Sequence, residues 1–247
     1  MAVKAIKLVS INIEMDKRLD LVQAFLEREK PDVVCLQEVY EPDLKMMGER
    51  IGMENAFGQM TNMGRKRLLE PPYISFGVGI LSRLPMKQVK LVYYYGDAES
   101  VGGFIFPGNP QMYYRVLLSA IFTQNNTDFM IGTTHFTWTP DGKADDRQRK
   151  DLQSLLSVLE QIPGILLCGD FNAPRGGEIF DAIASRYRDN IPTHYTTSLD
   201  PKVHKLGNLQ LMVDGLFSTP RYHVRNVRLA DGVSDHMAIV ADISRTN

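Results

Sequence analysis

Apolar positions along this chain fall mostly in short runs and two-residue alternations, with only a few stretches at helical spacing. Residues 5–13 alternate with β-branched residues and predict a strand, with Asn12 and Glu14 at its end. Asp16 suits the N-cap of a helix to about Lys30, since Leu19, Val22, Phe25 and Leu26 share one face before Pro31 stops it. Residues 33–36 predict a buried strand that leads directly into Gln37 and Glu38. A strand–helix–strand unit of this kind implies a parallel pair with a right-handed crossover. Residues 41–58 read as a short helix and loop, with Leu44, Met47 and Ile51 inward; residues 61–72 read as a loop carrying Arg65, Lys66 and Arg67. Further strands are expected over 76–81, 89–95, 115–122 and 128–134, the last pair joined by the turn formers 124–127. Residues 145–160 form the clearest helix, with Leu152, Leu155, Leu156 and Leu159 at three- and four-residue steps. A buried strand (165–168), a helix (177–187), a strand containing Asp214 (210–218) and a final strand (237–243) complete the chain.

Strands outnumber helices, and the later ones look hairpin-connected, which excludes a regular barrel of alternating strands and helices. Two mixed sheets packed face to face, with helices outside, form the most economical layout. No composition shift or linker divides the 247 residues, so one domain over 1–247 is expected. A formal net charge of −1 argues against a protein held to nucleic acid by a broad basic surface. Cys35 and Cys168 lie inside apolar runs and read as buried free thiols. The first ten residues show no signal-peptide pattern, and no apolar run reaches membrane-spanning length. A cytoplasmic monomer without stable membrane insertion is the resulting expectation.

The candidate chemistry sits at strand ends. Asp170 and Asn172 emerge two residues apart after a buried run, so both side chains point the same way, although these residue types also simply suit turns. Asn12, Glu38 and His135 lie at other strand ends, while Asp235 and His236 lie just before the last strand. If that strand runs antiparallel to its neighbours, carboxylates, amides and imidazoles gather at one rim. Hard oxygen donors without thiolates suit Mg2+ or Mn2+. A hard cation with amides and imidazoles fits phosphoryl transfer, and His236 with Asp214 is the natural imidazole–carboxylate pair.

The motifs Ile11-Asn12-Ile13-Glu14, Leu36-Gln37-Glu38-Val39, Thr134-His135-Phe136, Gly169-Asp170-Phe171-Asn172, Val213-Asp214-Gly215-Leu216 and Ser234-Asp235-His236 follow one another over nearly the whole chain. In that order they resemble the endonuclease/exonuclease/phosphatase superfamily. The resemblance implies an α+β fold, a four-layered α/β/β/α sandwich of two mixed β-sheets flanked by helices, like that of deoxyribonuclease I. It further implies metal-dependent phosphoester hydrolysis, with Glu38, Asn12 and Asp235 on or near the metal. Asp170 and Asn172 would position water and phosphate, and His236, oriented by Asp214, would act as base or hydrogen-bond donor. His135 would be a candidate general acid, Arg115 a phosphate contact, and Glu14 stands where several members carry aspartate. His194, His204 and His223 match no motif and read as structural or surface residues. The substrate expected is a nucleic acid or nucleotide-like ester. A sphingomyelinase-like lipid-headgroup phosphodiesterase, an inositol-phosphate phosphatase and a catalytically silent binding protein are the alternatives. Specificity is expected in loops 61–72, 101–110 and 192–208.

Overall fold

β1 (Ile6–Asn12) and β2 (Val33–Tyr40) pair in parallel, Leu8 beside Val33 and Asn12 beside Gln37, with helix α1 (Leu19–Glu29) crossing between them. The last strand, β12 (Ala238–Arg245), runs antiparallel to β1, Ile6 beside Ile243, so its start lies at the end of β1. β11 (Tyr222–Ala230), β3 (Glu54–Gly64) and β4 (Tyr73–Ser82) complete a six-stranded sheet ordered β11-β12-β1-β2-β4-β3. The second sheet is ordered β5-β6-β7-β8-β10-β9. Its strands are β5 (Met86–Tyr95), β6 (Arg115–Gln124), β7 (Thr127–His135), β8 (Leu166–Asp170), β9 (Arg188–Asp189) and β10 (Asp214–Ser218). This computed structural model describes residues 5–246; part of the stretch read for a leader, residues 1–4, lies outside them.

Three apolar layers hold the elements together. Between the sheets lie Leu8, Cys35, Ile80, Leu118, Ile131, Cys168 and Ile239, among others. α1 and α2 (Glu41–Ile51) cover the outer face of the first sheet through Val22, Phe25, Leu44 and Met47. α3 (Asp146–Glu160) and α4 (Glu178–Ala184) cover the second through Leu155, Leu159, Ile179 and Phe180. The result is the four-layered sandwich, with mixed sheets inside and helices outside. Both cysteines are buried free thiols. Among the described residues no helix is long and apolar enough to cross a membrane.

Several boundaries move for physical reasons. Residues 54–58 and 61–64, expected in loops, belong to β3, an edge strand whose Gly, Asn and Gln content hides its alternation. β11 carries charges on an exposed edge, which likewise masks its apolar alternation. Asp16 does not cap α1: the N-cap position is Arg18, without a side-chain bond, and Asp16 pairs with Arg65 instead. Asp145 does cap α3, accepting from the Gln148 N–H. β8 runs on through Gly169, where a Cβ would stand 2.0 Å from the Thr134 carbonyl oxygen, so glycine permits the close pairing that carries Asp170 to the rim.

Candidate active site

Glu38 sits at a bulge in β2, where the pairing with β4 shifts between Leu36 and Val39. Its backbone is left-handed, φ 54°, as is that of Asn172 at φ 50°. Such strain in non-glycine residues costs of order 1–3 kcal/mol and gathers at functional sites. The bulge leaves Gln37 wholly buried, while Glu38 reaches the rim with about a quarter of its side chain exposed (26 %).

Around Glu38 the two sheets contribute opposite halves of one cluster. From the first, Asn12 Nδ2 donates to Glu38 Oε1 at 3.1 Å and to Asp170 Oδ2, on the second sheet, at 3.0 Å. His236, preceding β12, makes a 2.7 Å bond through Nδ1 to Asp214 Oδ2 at the start of β10. Its Nε2 stands 3.8 Å from Asp170 Oδ2. Asp214 pairs directly with Asp170 across β10 and β8, and His135 pairs with Asp170 across β7 and β8. Asn12, Glu38, His135, Asp170, Asp214 and His236 therefore come together, with Asp235 beside His236 in sequence and close enough to Glu38 to perturb it.

The electrostatics follow from burial and neighbours. Burial raises the pKa of Glu38, the Asn12 bond opposes this, and the charges of Asp235 and Glu14 add to the rise. Burial pushes Asp170 up to about 7, against the pull of His236 and with the help of Asp214. For His236 burial disfavours the proton, but Asp214 and Asp170 together outweigh it and hold the imidazolium well above its ordinary range. His135 goes the other way: burial, then Arg115 and His236, keep it neutral.

Three residues sit otherwise than the motifs implied. Arg115 is fully buried and donates to the carbonyl oxygens of His135 (3.1 Å) and Pro110, so it braces the backbone behind the cleft rather than presenting itself to phosphate. Arg115→Ala is expected to cost about 3 kcal/mol or more in urea unfolding, because the buried His135 carbonyl loses its donor and a cavity is left behind; a loss under about 1 kcal/mol would contradict that bracing role. Asn12 turns its amide nitrogen, not its oxygen, toward the carboxylates, while Oδ1 accepts from the Glu14 N–H. Glu14 is occupied by Lys17 and Arg18 at the mouth.

His135 is locked by its neighbours. Asn172 Nδ2 donates to the Phe136 carbonyl at 3.0 Å and to His135 Nε2 at 2.9 Å. The carbonyl can only accept, so it fixes the amide orientation, and Nε2 must accept as well. The ring proton then lies on Nδ1, which is buried without a partner among the described residues. Nitrogen NMR should show this neutral Nδ1–H tautomer unchanged between about pH 5.5 and 8, through the range where an ordinary histidine titrates; protonation within that range would refute the lock.

Could the cluster hold a cation? Asp170, Asp214 and His236 offer ligand atoms within 4.8 Å of one another, but His236 Nδ1 is committed to Asp214, which leaves only its Nε2, 3.8 Å from Asp170 Oδ2, to face a cation. Glu38 fits better. It is a hard oxygen donor whose charge is raised in energy by Asp235 and Glu14, and a divalent cation would relieve that repulsion.

His204, which matches no motif, lies in a loop joined to the site through the backbone. Its N–H bonds the Asp200 carbonyl, and the Asp200 N–H bonds the Asp235 carbonyl, each at 2.8 Å, so loop 198–208 is tied to the cleft. Nothing in the spacing of that loop signals the contact.

The profile of the Endonuclease/Exonuclease/phosphatase family matches residues 9–236. No curated protein matches significantly by sequence. Among solved structures, an endonuclease/exonuclease/phosphatase from Bacteroides vulgatus superposes with TM-score 0.71 at 16% identity, covering 98% of this chain and 100% of that one. The human Nocturnin catalytic domain, with a bound sulfate anion, gives 0.73 at 17% identity, over 98% and 94%. A mannosyl-6-phosphatase from Bacteroides thetaiotaomicron gives 0.70 at 14% identity, over 97% and 99%. At these identities the likeness is one of fold.

Proposed function

Because this chain belongs to the endonuclease/exonuclease/phosphatase family, whose members hydrolyse phosphoesters, we propose that it is a divalent-cation-dependent phosphodiesterase acting on nucleic acid or a nucleotide-like ester. The proposal rests above all on one observation: an Asp170–His236–Asp214 array faces the strained, charge-crowded Glu38 across the meeting of two sheets.

Glu38 and Asp235 would hold the cation, Mg2+ or Mn2+, with Asn12 orienting Glu38 through its amide nitrogen. When bound, such a cation offsets charge on the phosphoryl and leaving oxygens. Asp170, its pKa raised to about 7, is suited to take the proton from an attacking water, since a base titrating near neutrality transfers protons most effectively. The water oxygen forms the new bond to phosphorus as the ester P–O bond breaks in line with it. His236, held charged by Asp214, donates to a phosphoryl oxygen and stabilises the charge that grows there. Neutral His135 serves to hold Asn172 rather than to supply a proton.

Hydrolysis of bis-p-nitrophenyl phosphate should require Mg2+ or Mn2+, stop on addition of EDTA and return with excess Mn2+. Activity indifferent to EDTA would overturn the cation-dependent assignment. A panel of single- and double-stranded DNA, RNA, sphingomyelin and inositol phosphates then assigns the substrate, and preference for either of the last two would replace the nucleic-acid reading.

A further inference from the structure

Gln37 is a fully buried amide in β2, directly after the apolar run of residues 33–36. Its Nε2 reaches across the sandwich to Thr133 Oγ1 at 2.9 Å, and it also lies 3.4 Å from Ser10 Oγ on its own sheet. Among the described residues its Oε1 has no hydrogen-bond partner. A buried amide with an unpaired acceptor is poor material for stability, and an apolar side chain of similar size would suit this core better. Something other than folding free energy therefore explains its presence.

The two ends of this bond are telling. Gln37 immediately precedes Glu38, and Thr133 lies two residues before His135 on β7 and pairs with Cys168, two residues before Asp170 on β8. The bond thus joins the sheets one layer beneath the rim, where Asn12–Asp170 and His236–Asp214 also cross between them. The packing between the sheets is mainly apolar, and apolar contact is non-directional, so it tolerates small sliding of one sheet over the other. A hydrogen bond weakens steeply with misalignment and resists such sliding.

We propose that Gln37, through its cross-sheet bond to Thr133, is a positioning residue that aligns the Glu38 strand with the His135 and Asp170 strands. This inference rests on the phosphodiesterase reading for its kinetic consequence, but not for its structural one. Sliding at this layer would lengthen both rim bonds and move Glu38 relative to Asp170. Proton transfer and charge stabilisation would suffer, while the loops that grip substrate would not.

The test uses the full chain with Gln37→Met, Thr133→Val and the double variant, and Thr133→Ser as the conservative control. Each of the first three should lower kcat about tenfold, as loss of a group supporting a site residue commonly does, with KM changed less than about twofold. The double variant should be no worse than either single one, because all three remove the same bond. Thr133→Ser keeps the hydroxyl and should retain wild-type kcat. Urea midpoints should not fall for Gln37→Met, which separates alignment from stability. The imidazole Nδ1 proton of His236 supplies a readout that needs no turnover: its NMR resonance should shift in Gln37→Met and stay in place in Thr133→Ser. If the wild type hydrolyses no phosphoester but the resonance shifts, the functional reading fails and the positioning role stands. Wild-type kcat in both Gln37→Met and Thr133→Val, multiplicative losses in the double variant, or an unmoved resonance would overturn it.

Discussion

Glu38→Gln should lower phosphodiester hydrolysis by about 10³-fold, as expected when a charge-stabilising element of a site is lost, while leaving the folded protein no less stable. The glutamine keeps an oxygen to accept from Asn12 Nδ2, so the local bond survives. What disappears is a negative charge that burial, Asp235 and Glu14 all disfavour. The sign follows from linkage. A carboxyl whose folded pKa lies above its unfolded value of about 4.5 destabilises the fold wherever it is ionised. Without a cation, Glu38→Gln should therefore be the more stable protein at neutral pH. That advantage should vanish as pH falls through the folded pKa toward about 4, where the wild-type carboxyl is protonated too. Urea unfolding in EDTA at several pH values checks it. A variant that is both active and less stable would show that Glu38 is a structural acid.

A comparably large loss is expected from Asp214→Asn. His236 draws its raised pKa chiefly from Asp214, with Asp170 second, against the opposing effect of burial. Asparagine is isosteric but neutral, so the imidazole loses its principal counter-charge and its pKa drops. Moreover, an amide nitrogen presented to Nδ1 favours the wrong tautomer. In imidazole–carboxylate pairs elsewhere this change costs about 10⁴-fold in kcat, and about 10³- to 10⁴-fold is expected here. His236→Gln should fall as far, and combining the two should add little, since both disable one unit. Near-wild-type kcat for Asp214→Asn would mean that His236 does not act as a charged donor.

The architecture was legible because its central strands are short apolar runs flanked by polar ends, and because β12 could be placed antiparallel on β1. The edge strands β3 and β11 were not, since exposed strands carry the polar residues and glycines that also mark loops. Glu38, Asp170, Asn172, Asp235 and His236 could be gathered from strand ends and motif order, with Asp214 as the partner of His236. Orientation could not. Nothing in the chain announces that Asn12 presents nitrogen rather than oxygen, or that a carbonyl at Phe136 fixes Asn172 and through it the tautomer of His135. Arg115 illustrates the same gap, because an arginine opening a strand near the site could face phosphate or brace the backbone, and only its burial decides. The burial of Gln37 is hidden in the sequence because a polar residue at a strand's end looks like the start of a loop, whereas the bulge at Glu38 keeps it inside the sandwich.

Where the cation sits is the most direct question. Crystals soaked in Mn2+ and phosphate should show anomalous density about 2.1 Å from a carboxylate oxygen of Glu38, a usual distance for a small hard cation. The phosphate should lie between that peak and His236, with Asp170 facing it. A peak inside the Asp170–Asp214–His236 trio, with the Nδ1 bond of His236 broken and Glu38 bare, would contradict the assignment of that trio to proton transfer.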